Sequence, residues 1–521
     1  MQIDLKQKFY KNKKALAVIF FITVGVIVRI FRFGSTPMGF NQDEAFAAYE
    51  AFSLLNYGVD SAGYVNPTYF VSWGSGMNVL ESYLAIPFMW IFGCSESVFR
   101  LPSLICAVFS MPALYCLLKR LFDEKTAMVG LGILAISPWH IMLSRWGLES
   151  NLAPAFLLFG LFFLIKGVTK NGYLLLSALF YGMSLYSYSI TWLAVPIMLI
   201  AFGVYIVVTN RKIKPWYIVG AIVILFIFAI PHFLFLLVNN GVIPEVKSGF
   251  ISIPKMVEMR TGEIAFANLF LVENHKNLFK ILFLQKDDLI WNSTDYGMFY
   301  PFSTVFFVVG LVKLIINVVN DFKAKKFSGS YFVLGGFLCA VFVFLLLSGV
   351  NINKSNCMHM FTLMTTSVGI MTVVEVTKNR KIVKSAIVAI YALSFLCFSS
   401  FYFGDYNNYV SSEFRAGVGQ AVETVNTLHA ENVAVDRSVF HSQILIFDKT
   451  PTDEFINTVE YENYPSAYLV AQSFGKYTFD IDYDNLGDFD AYIVPNDKLS
   501  FFNKEEYYIY TFENYSAVIK H

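Results

Sequence analysis

The sequence has few charged residues and no cysteine motif. Charged residues make up 15% of its 521 residues, whereas soluble domains contain about 25%. Its six cysteines include no CxxC pair, so neither a metal site nor a disulfide framework is indicated. The chain has no internal repeat, and its formal net charge of +1 gives no reason to expect nucleic acid as a partner. These absences argue against a soluble, metal-binding or nucleic-acid-binding protein.

Apolar and aromatic residues dominate instead. Hydrophobic residues make up 56% of the chain, which contains 54 Phe and 30 Tyr. Several apolar runs approach or exceed the ~20 residues that a helix needs to cross a bilayer. The composition therefore predicts an all-α polytopic membrane protein, in which the positions of the charges are more informative than their sum.

The basic clusters give the chain a direction across the membrane. The lysines within residues 6–14 are expected to stay cytoplasmic, because positive charge is retained on the inner side. The short apolar run 80–92 is predicted to lie in the interface, since counting it as a span would place the later basic clusters outside. The chain is thus expected to be a multi-pass plasma-membrane protein. The eleven predicted spans are 15–33, a span that opens at Arg100, 126–136, 152–168, 173–186, 192–208, 216–238, 299–319, 331–347, 357–376 and 387–403.

The composition changes after Gly404. Short alternating apolar runs replace the long ones and predict strands, together with a helix over 413–428. We therefore expect a transmembrane domain over 1–404 and a small extracytoplasmic α/β domain over 405–521. The second domain has no nucleotide-binding glycine pattern, and its acidic run lacks the closing Glu of a calcium loop. The expected strands are 433–435, 443–447, 467–471, 491–494 and 507–512.

Two neighbouring carboxylates, Asp43 and Glu44, follow the first predicted span. Asn41 is placed to cap a helix that would end at Gly58, with Glu44 completing a capping box. The apolar face of this helix is predicted to rest on the membrane surface. Helical neighbours point about 100° apart, which favours a division of labour: one carboxylate removes a proton from an acceptor hydroxyl, and the other orients it or holds a sugar. The alternative is an ordinary acidic helix start.

Two further polar clusters are predicted on the same side of the membrane. His140, Arg145 and Glu149 follow the third span, where Arg145 and Glu149 are spaced for an ion pair on a helix. If exposed, such a pair would contribute little energy. Lys354 and His359 lie between the ninth and tenth spans, where they are either site residues or ordinary interface anchors.

Aromatic residues and a long loop complete the outer side. Tyr186 belongs to a group of aromatic residues that forms either a membrane-interface belt or a surface on which substrate stacks. Residues 239–298 form a long outer connection that contains charged residues, among them Arg260 and Glu263. Connections of this length are often functional loops or lids, although most of these charges are expected to be solvated.

The order of these motifs is itself informative. It resembles the first outer loop and following spans of GT-C membrane glycosyltransferases, in the branch of the protein O-mannosyltransferases and aminoarabinose transferases (families 39 and 83). The resemblance covers the first third of the chain. The matching motifs are Asp43-Glu44-Ala45, Asn56-Tyr57-Gly58, Pro67-Thr68-Tyr69-Phe70, Gly93, Phe99-Arg100-Leu101-Pro102-Ser103, Ser137-Pro138 and Ser144-Arg145.

This resemblance implies a sugar transferase that uses a polyprenyl-phosphate sugar from the membrane. It implies that Asp43 is the catalytic base, with Glu44 as its partner. It also implies that a basic residue near a late outer loop contacts the lipid phosphate, for which Lys354 and then His359 are the candidates. The other predicted substrate-binding residues are His140, Arg145, Glu149 and Tyr186.

We therefore expect an inverting transfer at the outer face of the membrane to a lipid, polymer or protein acceptor. Because Lys or Arg can stabilise a monophosphate leaving group, no obligatory cofactor is expected, while divalent-metal dependence is left open. One alternative is a polymerase or ligase of lipid-linked oligosaccharides, which would rely on outer-loop arginines. The other is a transporter or flippase, which would need charged or broken helices at the membrane midplane.

Overall fold

The apolar runs of the sequence form helices, and the C-terminal residues form a mixed sheet. The computed structural model describes residues 2–259, 263–324 and 326–521; Arg260 lies outside the described residues. The helices are α1 (Gln2–Ile30), α2 (Gln42–Tyr57), α3 (Leu80–Phe92), α4 (Glu96–Phe99), α5 (Leu101–Leu121), α6 (Glu124–Ile136), α7 (Pro138–Leu143), α8 (Ala153–Gly167), α9 (Tyr173–Ser184), α10 (Thr191–Val208), α11 (Pro215–Asn239), α12 (Val272–Phe279), α13 (Ser303–Lys323), α14 (Gly329–Leu345), α15 (Asn356–Val376), α16 (Arg380–Phe403), α17 (Tyr406–Val410), α18 (Val418–Thr427), α19 (His441–Asp448) and α20 (Thr452–Thr458). The strands are β1 (Val246–Lys247), β2 (Ser252–Ile253), β3 (Val433–Val435), β4 (Glu460–Tyr461), β5 (Ala471–Phe474), β6 (Tyr477–Phe479), β7 (Ala491–Pro495), β8 (Tyr507–Thr511) and β9 (Tyr515–Lys520).

Each predicted span coincides with a helix, namely α1, α5, α6, α8 to α11 and α13 to α16. Within the part of the chain that is described, seven helical segments are long and apolar enough to cross a membrane, while α3, α9 and α14 are shorter apolar helices. Most side chains of α11 and α16 are not buried, as expected of apolar helices that face lipid. The helical multi-pass fold is confirmed, and the count of eleven spans stays a prediction.

Two glycines bring α13 and α15 into close contact. A Cβ atom added at Gly310 would overlap the carbonyl oxygen of Thr365, and one added at Gly369 would overlap that of Phe306. Small residues let helix backbones approach closely in a membrane, where dispersion contacts replace the hydrophobic effect as the driving force. These two glycines therefore fix the pairing of α13 with α15.

The C-terminal residues form a seven-stranded sheet with the order β4-β5-β6-β3-β7-β9-β8. The central strand β3 pairs in parallel with β6 and β7, while the outer strands pair antiparallel. This sheet, with α18 to α20, confirms the predicted α/β fold of the C-terminal residues. The boundary of the domain at residue 405 stays a prediction.

Some C-terminal elements differ from those predicted. The run 443–447 was expected as a strand and instead lies in helix α19, because a short apolar run also fits a buried helix. The predicted strand 467–471 is displaced to β5, and β4, β6 and β9 are additional strands. The predicted helix 413–428 is shorter and begins at Val418.

Helix α2 is covered by the C-terminal domain, and the prediction that it rests on the membrane surface is wrong. Ala48 and Phe52, on its apolar face, are buried in one hydrophobic cluster with Ile444 and Phe455 of the domain. The hydroxyl of Tyr49 donates to the carbonyl of Thr450 at 2.9 Å. The outer loop and the C-terminal domain thus share a single core.

The long outer segment packs on the same loop. Its strand β2 bonds to the loop through the amide of Thr68, which donates to the carbonyl of Ser252 at 3.0 Å. The hydroxyl of Tyr64 donates to the carboxylate of Glu245 at 2.7 Å. The segment therefore has local structure of its own, and it supports the outer loop from the side opposite the C-terminal domain.

A buried pair of carboxylic acids lies at the end of α2. Glu50 and Asp60 are each 1% exposed. Burial, followed by the charge of Asp60, raises the pKa of Glu50. Burial raises the pKa of Asp60 to about 7, against the opposing effect of hydrogen bonds from the backbone of Tyr64 and Ala62. Because two adjacent buried carboxylates do not both ionise readily, the pair retains a proton near neutral pH.

We expect Gly369→Ala to lower the thermal stability of the protein in lipid nanodiscs, because overpacking costs about 1–3 kcal/mol. Gly335→Ala is the matched control, since a Cβ there meets nothing within 4 Å. Equal unfolding midpoints for the two variants would contradict the close contact of α13 and α15.

We also expect the unfolding midpoint to fall as the pH rises from about 5 to about 8. An acid whose pKa is raised on folding stabilises the protein fully below its unfolded pKa of about 4, and this stabilisation is lost as the pH rises through the folded value. Asp60→Asn should flatten the dependence, while the exposed-site variant Asp288→Asn should not. An unchanged slope in Asp60→Asn would show that Asp60 ionises normally in the fold.

Candidate active site

Asp43 lies in the first turn of α2, as the sequence predicts. The side chain of Asn41 caps the helix by accepting a hydrogen bond from the amide of Asp43 at 3.1 Å. Gly58 ends the helix in the left-handed conformation. A carboxylate at this position is stabilised by the positive end of the helix dipole. The caps therefore fix both the position and the charge environment of Asp43.

The carboxylate of Asp43 is half-buried and is held by an aromatic side chain. The indole N–H of Trp73 donates to its Oδ1 at 3.1 Å. Trp73 is itself buried and packs against Phe46 and Tyr468, with ring centroids 5.9 and 5.1 Å away. Asp43 is thus oriented by a rigid donor and retains access to the outer side.

Glu44 has a different environment from its neighbour. Its carboxylate accepts hydrogen bonds from Arg100 Nε and Nη2 at 2.7 Å each and from the amide of Gly147 at 2.6 Å. Both charged side chains are 0% exposed. The remaining donors of Arg100 bond the carbonyls of Pro37 and Gly39. Glu44 therefore holds the loop in place. It does not close the predicted capping box, and its complete burial is contrary to the expectation that it meets a substrate.

A short segment of the outer loop connects the first two predicted clusters. Trp73 begins this segment and bonds Asp43, while Asn78 ends it and donates from its backbone and side-chain amides to Glu149 Oε2. Asn78 also donates to the hydroxyl of Ser189 at 3.1 Å. Glu149 is half-buried in a turn of 3₁₀ helix. The two ends of one short loop segment therefore hold Asp43 and Glu149.

Tyr188 lies near Glu149 and near Glu263 of the long segment. Burial, followed by the nearby carboxylates of Glu149 and Glu263, raises the pKa of Tyr188 above its ordinary value. The phenol is therefore neutral and able to donate a hydrogen bond.

Lys354 contacts the same carboxylate. Glu263 lies 3.4 Å from the Nζ atom of Lys354, which also donates to the carbonyl of Ser348 at 3.1 Å. Lys354 is thus held beside the long segment in a partly solvated position.

Arg145 and His140 are buried in the interior. Arg145 donates to the carbonyls of Arg29, Arg32 and Thr36, at the end of α1 and just beyond it. Arg29 donates to the ring nitrogen Nδ1 of His140 at 2.7 Å. Orphan carbonyls at a helix C-terminus need such donors when they are buried. Arg145 therefore satisfies the carbonyls at the end of α1, whereas His140 accepts a hydrogen bond from Arg29. The predicted Arg145–Glu149 ion pair is not formed.

His359 and Tyr186 are also packing residues. His359 is 0% exposed, and its Nε2 lies 3.1 Å from both Ser355 Oγ and the carbonyl of Ile352. The hydroxyl of Tyr186 donates to the carbonyl of Phe228 at 3.0 Å, and its ring packs on that of His232. His359 is therefore too buried for the predicted substrate contact, whereas Tyr186 is half-buried and its substrate contact stays a prediction.

Three residues that the sequence did not assign take part in the site: Trp73, Asn78 and Arg100. An ionisable residue such as Arg100 at a membrane boundary suggests a functional position. Its pairing with Glu44, however, depends on the fold and is not visible in the sequence. No group of three or more His, Cys, Asp or Glu side chains within the described residues is arranged to hold a metal ion.

Comparisons with known proteins give one family match in sequence and several matches in fold. Residues 79–235 match the family described as dolichyl-phosphate-mannose-protein mannosyltransferase. No curated protein matches the chain in sequence.

Two solved structures of ArnT from Cupriavidus metallidurans share the fold. The apo form and the form bound to undecaprenyl phosphate each give a TM-score of 0.54, with 12% and 10% identity, and cover 96% of this chain and 97% of theirs. The oligosaccharyltransferase AglB of Archaeoglobus fulgidus, in complex with an inhibitory peptide and a dolichol-phosphate, has a TM-score of 0.47 and 11% identity over 84% of this chain. The present chain spans 64% of that protein's length. The family match covers less than a third of the chain, and the ArnT structures show a likeness of fold alone.

Proposed function

We propose that the protein transfers a sugar from a polyprenyl-phosphate donor to an acceptor hydroxyl, with inversion at the anomeric carbon. The proposal rests above all on Asp43, a half-buried carboxylate that Asn41 and Trp73 hold at the outer end of the helical domain. A general base must be fixed and yet reach the proton that it removes. The undecaprenyl phosphate bound by the similar ArnT structure supports a lipid phosphate as the carrier.

The reaction follows from these positions. Asp43 accepts the proton of the acceptor hydroxyl, whose oxygen forms a bond to the anomeric carbon of the sugar. The bond between that carbon and the phosphate oxygen breaks, and polyprenyl phosphate leaves with the electron pair. Attack from the face opposite the leaving group inverts the configuration. Glu149, half-buried beside Asn78, is proposed to accept hydrogen bonds from sugar hydroxyls.

Lys354 is proposed to stabilise the leaving phosphate. Its ammonium group lies 3.4 Å from Glu263, longer than an ordinary charge-assisted hydrogen bond of about 2.7–2.9 Å. The side chain is 24% exposed. A phosphate group can therefore compete for this cation with little rearrangement, and fixed positive charge stabilises the anion that develops in the transition state.

The proposed location is the outer face of the plasma membrane, with a cytoplasmic N-terminus and an extracytoplasmic C-terminal domain. The distribution of basic clusters supports this orientation. The helices α10 and α11 remain continuous through Pro196 and Pro231, so these two helices are not broken as a transport mechanism would require. The geometry favours a transferase over a transporter.

We expect Asp43→Asn to reduce transfer by about 10²–10⁴-fold or more, because the base is lost. Transfer is measured as release of polyprenyl phosphate from purified protein with a panel of polyprenyl-phosphate sugars. The folded yield should be normal, since the asparagine oxygen still accepts the indole N–H of Trp73. The exposed-site variant Asp484→Asn is the matched control, and full activity of Asp43→Asn would overturn the assignment.

Glu44→Gln separates the two neighbouring carboxylates. It leaves the buried guanidinium of Arg100 without its counter-charge, which costs about 3–5 kcal/mol. We therefore expect loss of folded protein in this variant, as measured by size-exclusion yield. A well-folded but inactive Glu44→Gln would instead restore Glu44 as a catalytic residue.

We expect Lys354→Ala to raise the apparent KM for the lipid donor at least about tenfold, because charged hydrogen bonds are worth about 1.5–3 kcal/mol. Lys354→Arg should retain part of the donor affinity. The matched control is Lys286→Ala, since Lys286 also contacts a carboxylate at 3.4 Å in the outer segment. Equal donor KM values for Lys354→Ala and Lys286→Ala would remove Lys354 from the phosphate site.

A further inference from the structure

A cavity separates the C-terminal domain from the outer loop that carries Asp43. Its volume is about 360 Å³, within the range of small-molecule sites, which is about 300–1,000 Å³. The loop contributes Trp73 to its wall. The domain contributes Arg437, Phe440, His441, Glu462 and Tyr468. Two parts of the chain that are distant in sequence therefore build one enclosed space.

One side chain separates this cavity from the proposed base. Trp73 lines the cavity and also donates its indole N–H to Asp43 at 3.1 Å. Tyr468 stacks on Trp73 at a centroid distance of 5.1 Å and donates its hydroxyl to Gln42 at 3.3 Å. Gln42 immediately precedes Asp43. A molecule held in the cavity therefore contacts the side chain that orients the proposed base.

A glycine in the outer loop allows the loop and the C-terminal domain to approach each other closely. Gly74 has a φ of +111°, and a Cβ atom there would overlap the carbonyl oxygen of Ser466. Its neighbour Trp73 accepts a backbone hydrogen bond from Leu469. Only glycine allows this conformation and this contact at low cost. The position of Trp73 relative to the domain is therefore fixed rather than accidental.

The lining combines apolar faces with one balanced pair of charges. The rings of Phe440 and His441 pack edge-on against Trp73, at centroid distances of 5.7 and 4.8 Å. Arg437 donates to Glu462 at 2.6 Å, and their side chains are 57% and 30% exposed. Arg437 also lies 3.6 Å from Asp480, so its charge is offset by two carboxylates and creates no site for an anion. Both groups remain accessible to a polar ligand.

A saccharide ring has the chemistry that this lining complements. Its C–H faces pack on aromatic rings, and aromatic residues supply large rigid contact areas. Its hydroxyl groups both accept and donate, so they can pair with the guanidinium and the carboxylate at once. We propose that this cavity binds a neutral saccharide unit of the acceptor, next to the indole of Trp73 that orients Asp43. This inference rests on the proposed function and names its acceptor class.

The test measures saccharide binding apart from catalysis. Saturation-transfer NMR is recorded with maltotriose and the protein in lipid nanodiscs, because detergents with sugar head groups would occupy the site. Binding should be seen for the wild type and also for Asp43→Asn, in which transfer is lost. Arg437→Ala and Glu462→Ala should each weaken it by about tenfold, the effect of one lost hydrogen bond to a charged group. Lys520→Ala, which breaks the exposed contact of Lys520 with Asp488 at 2.7 Å, is the matched control.

The outcomes separate this inference from the proposed function. Absence of maltotriose binding, or binding that both cavity variants leave unchanged, overturns the inference even if polyprenyl phosphate is released normally. Preferential binding of trigalacturonic acid or of a Ser/Thr-containing peptide overturns the neutral-saccharide assignment. Saccharide binding that responds to Arg437→Ala supports the site, and if no donor sugar is then transferred, it is the proposed function that fails.

Discussion

The buried ion pair between Glu44 and Arg100 is the contact on which the outer loop depends. It is fully enclosed, so its stability requires that every donor and acceptor around it be satisfied. Arg100 meets this requirement by also bonding the main chain of Pro37 and Gly39. The pair therefore fixes the chain on the N-terminal side of α2 as well as its first turn. The position of Asp43 therefore depends on its fully buried neighbour Glu44.

The site is formed by tertiary structure more than by any one segment. Asn41 determines where α2 begins, but Trp73, thirty residues further on, orients the carboxylate of Asp43. The C-terminal domain then buries the apolar face of α2 and holds Trp73 through Tyr468. This arrangement suits a carboxylate that must be both rigid and accessible. Helix α2 and Trp73, which hold Asp43, are packed, while the side chain of Asp43 is only half-buried.

The sequence predicted the elements whose signals are local. The caps at Asn41 and Gly58 correctly bounded α2, and the apolar runs located the helices, because length and periodicity are properties of a segment. The roles of Arg145 and His359 were not predictable in the same way. Whether a polar side chain meets substrate or satisfies a buried carbonyl depends on which helix lies beside it. The helix α19 was mistaken for a strand because its apolar run is too short to show a period.

The donors that complete the end of α1 have a consequence for the order in which the chain assembles during synthesis. The first helix leaves the ribosome long before Arg145, which later bonds the carbonyls at and beyond its C-terminus. Synthesis proceeds at about 5–20 residues per second. Several seconds or more therefore pass before the carbonyls at the end of α1 can receive the hydrogen bonds of Arg145. The residues of the C-terminal domain that pack against Trp73 are synthesised later still. The surroundings of Asp43 are therefore among the last parts of the molecule to form, because Tyr468, which packs on Trp73, is synthesised long after α2.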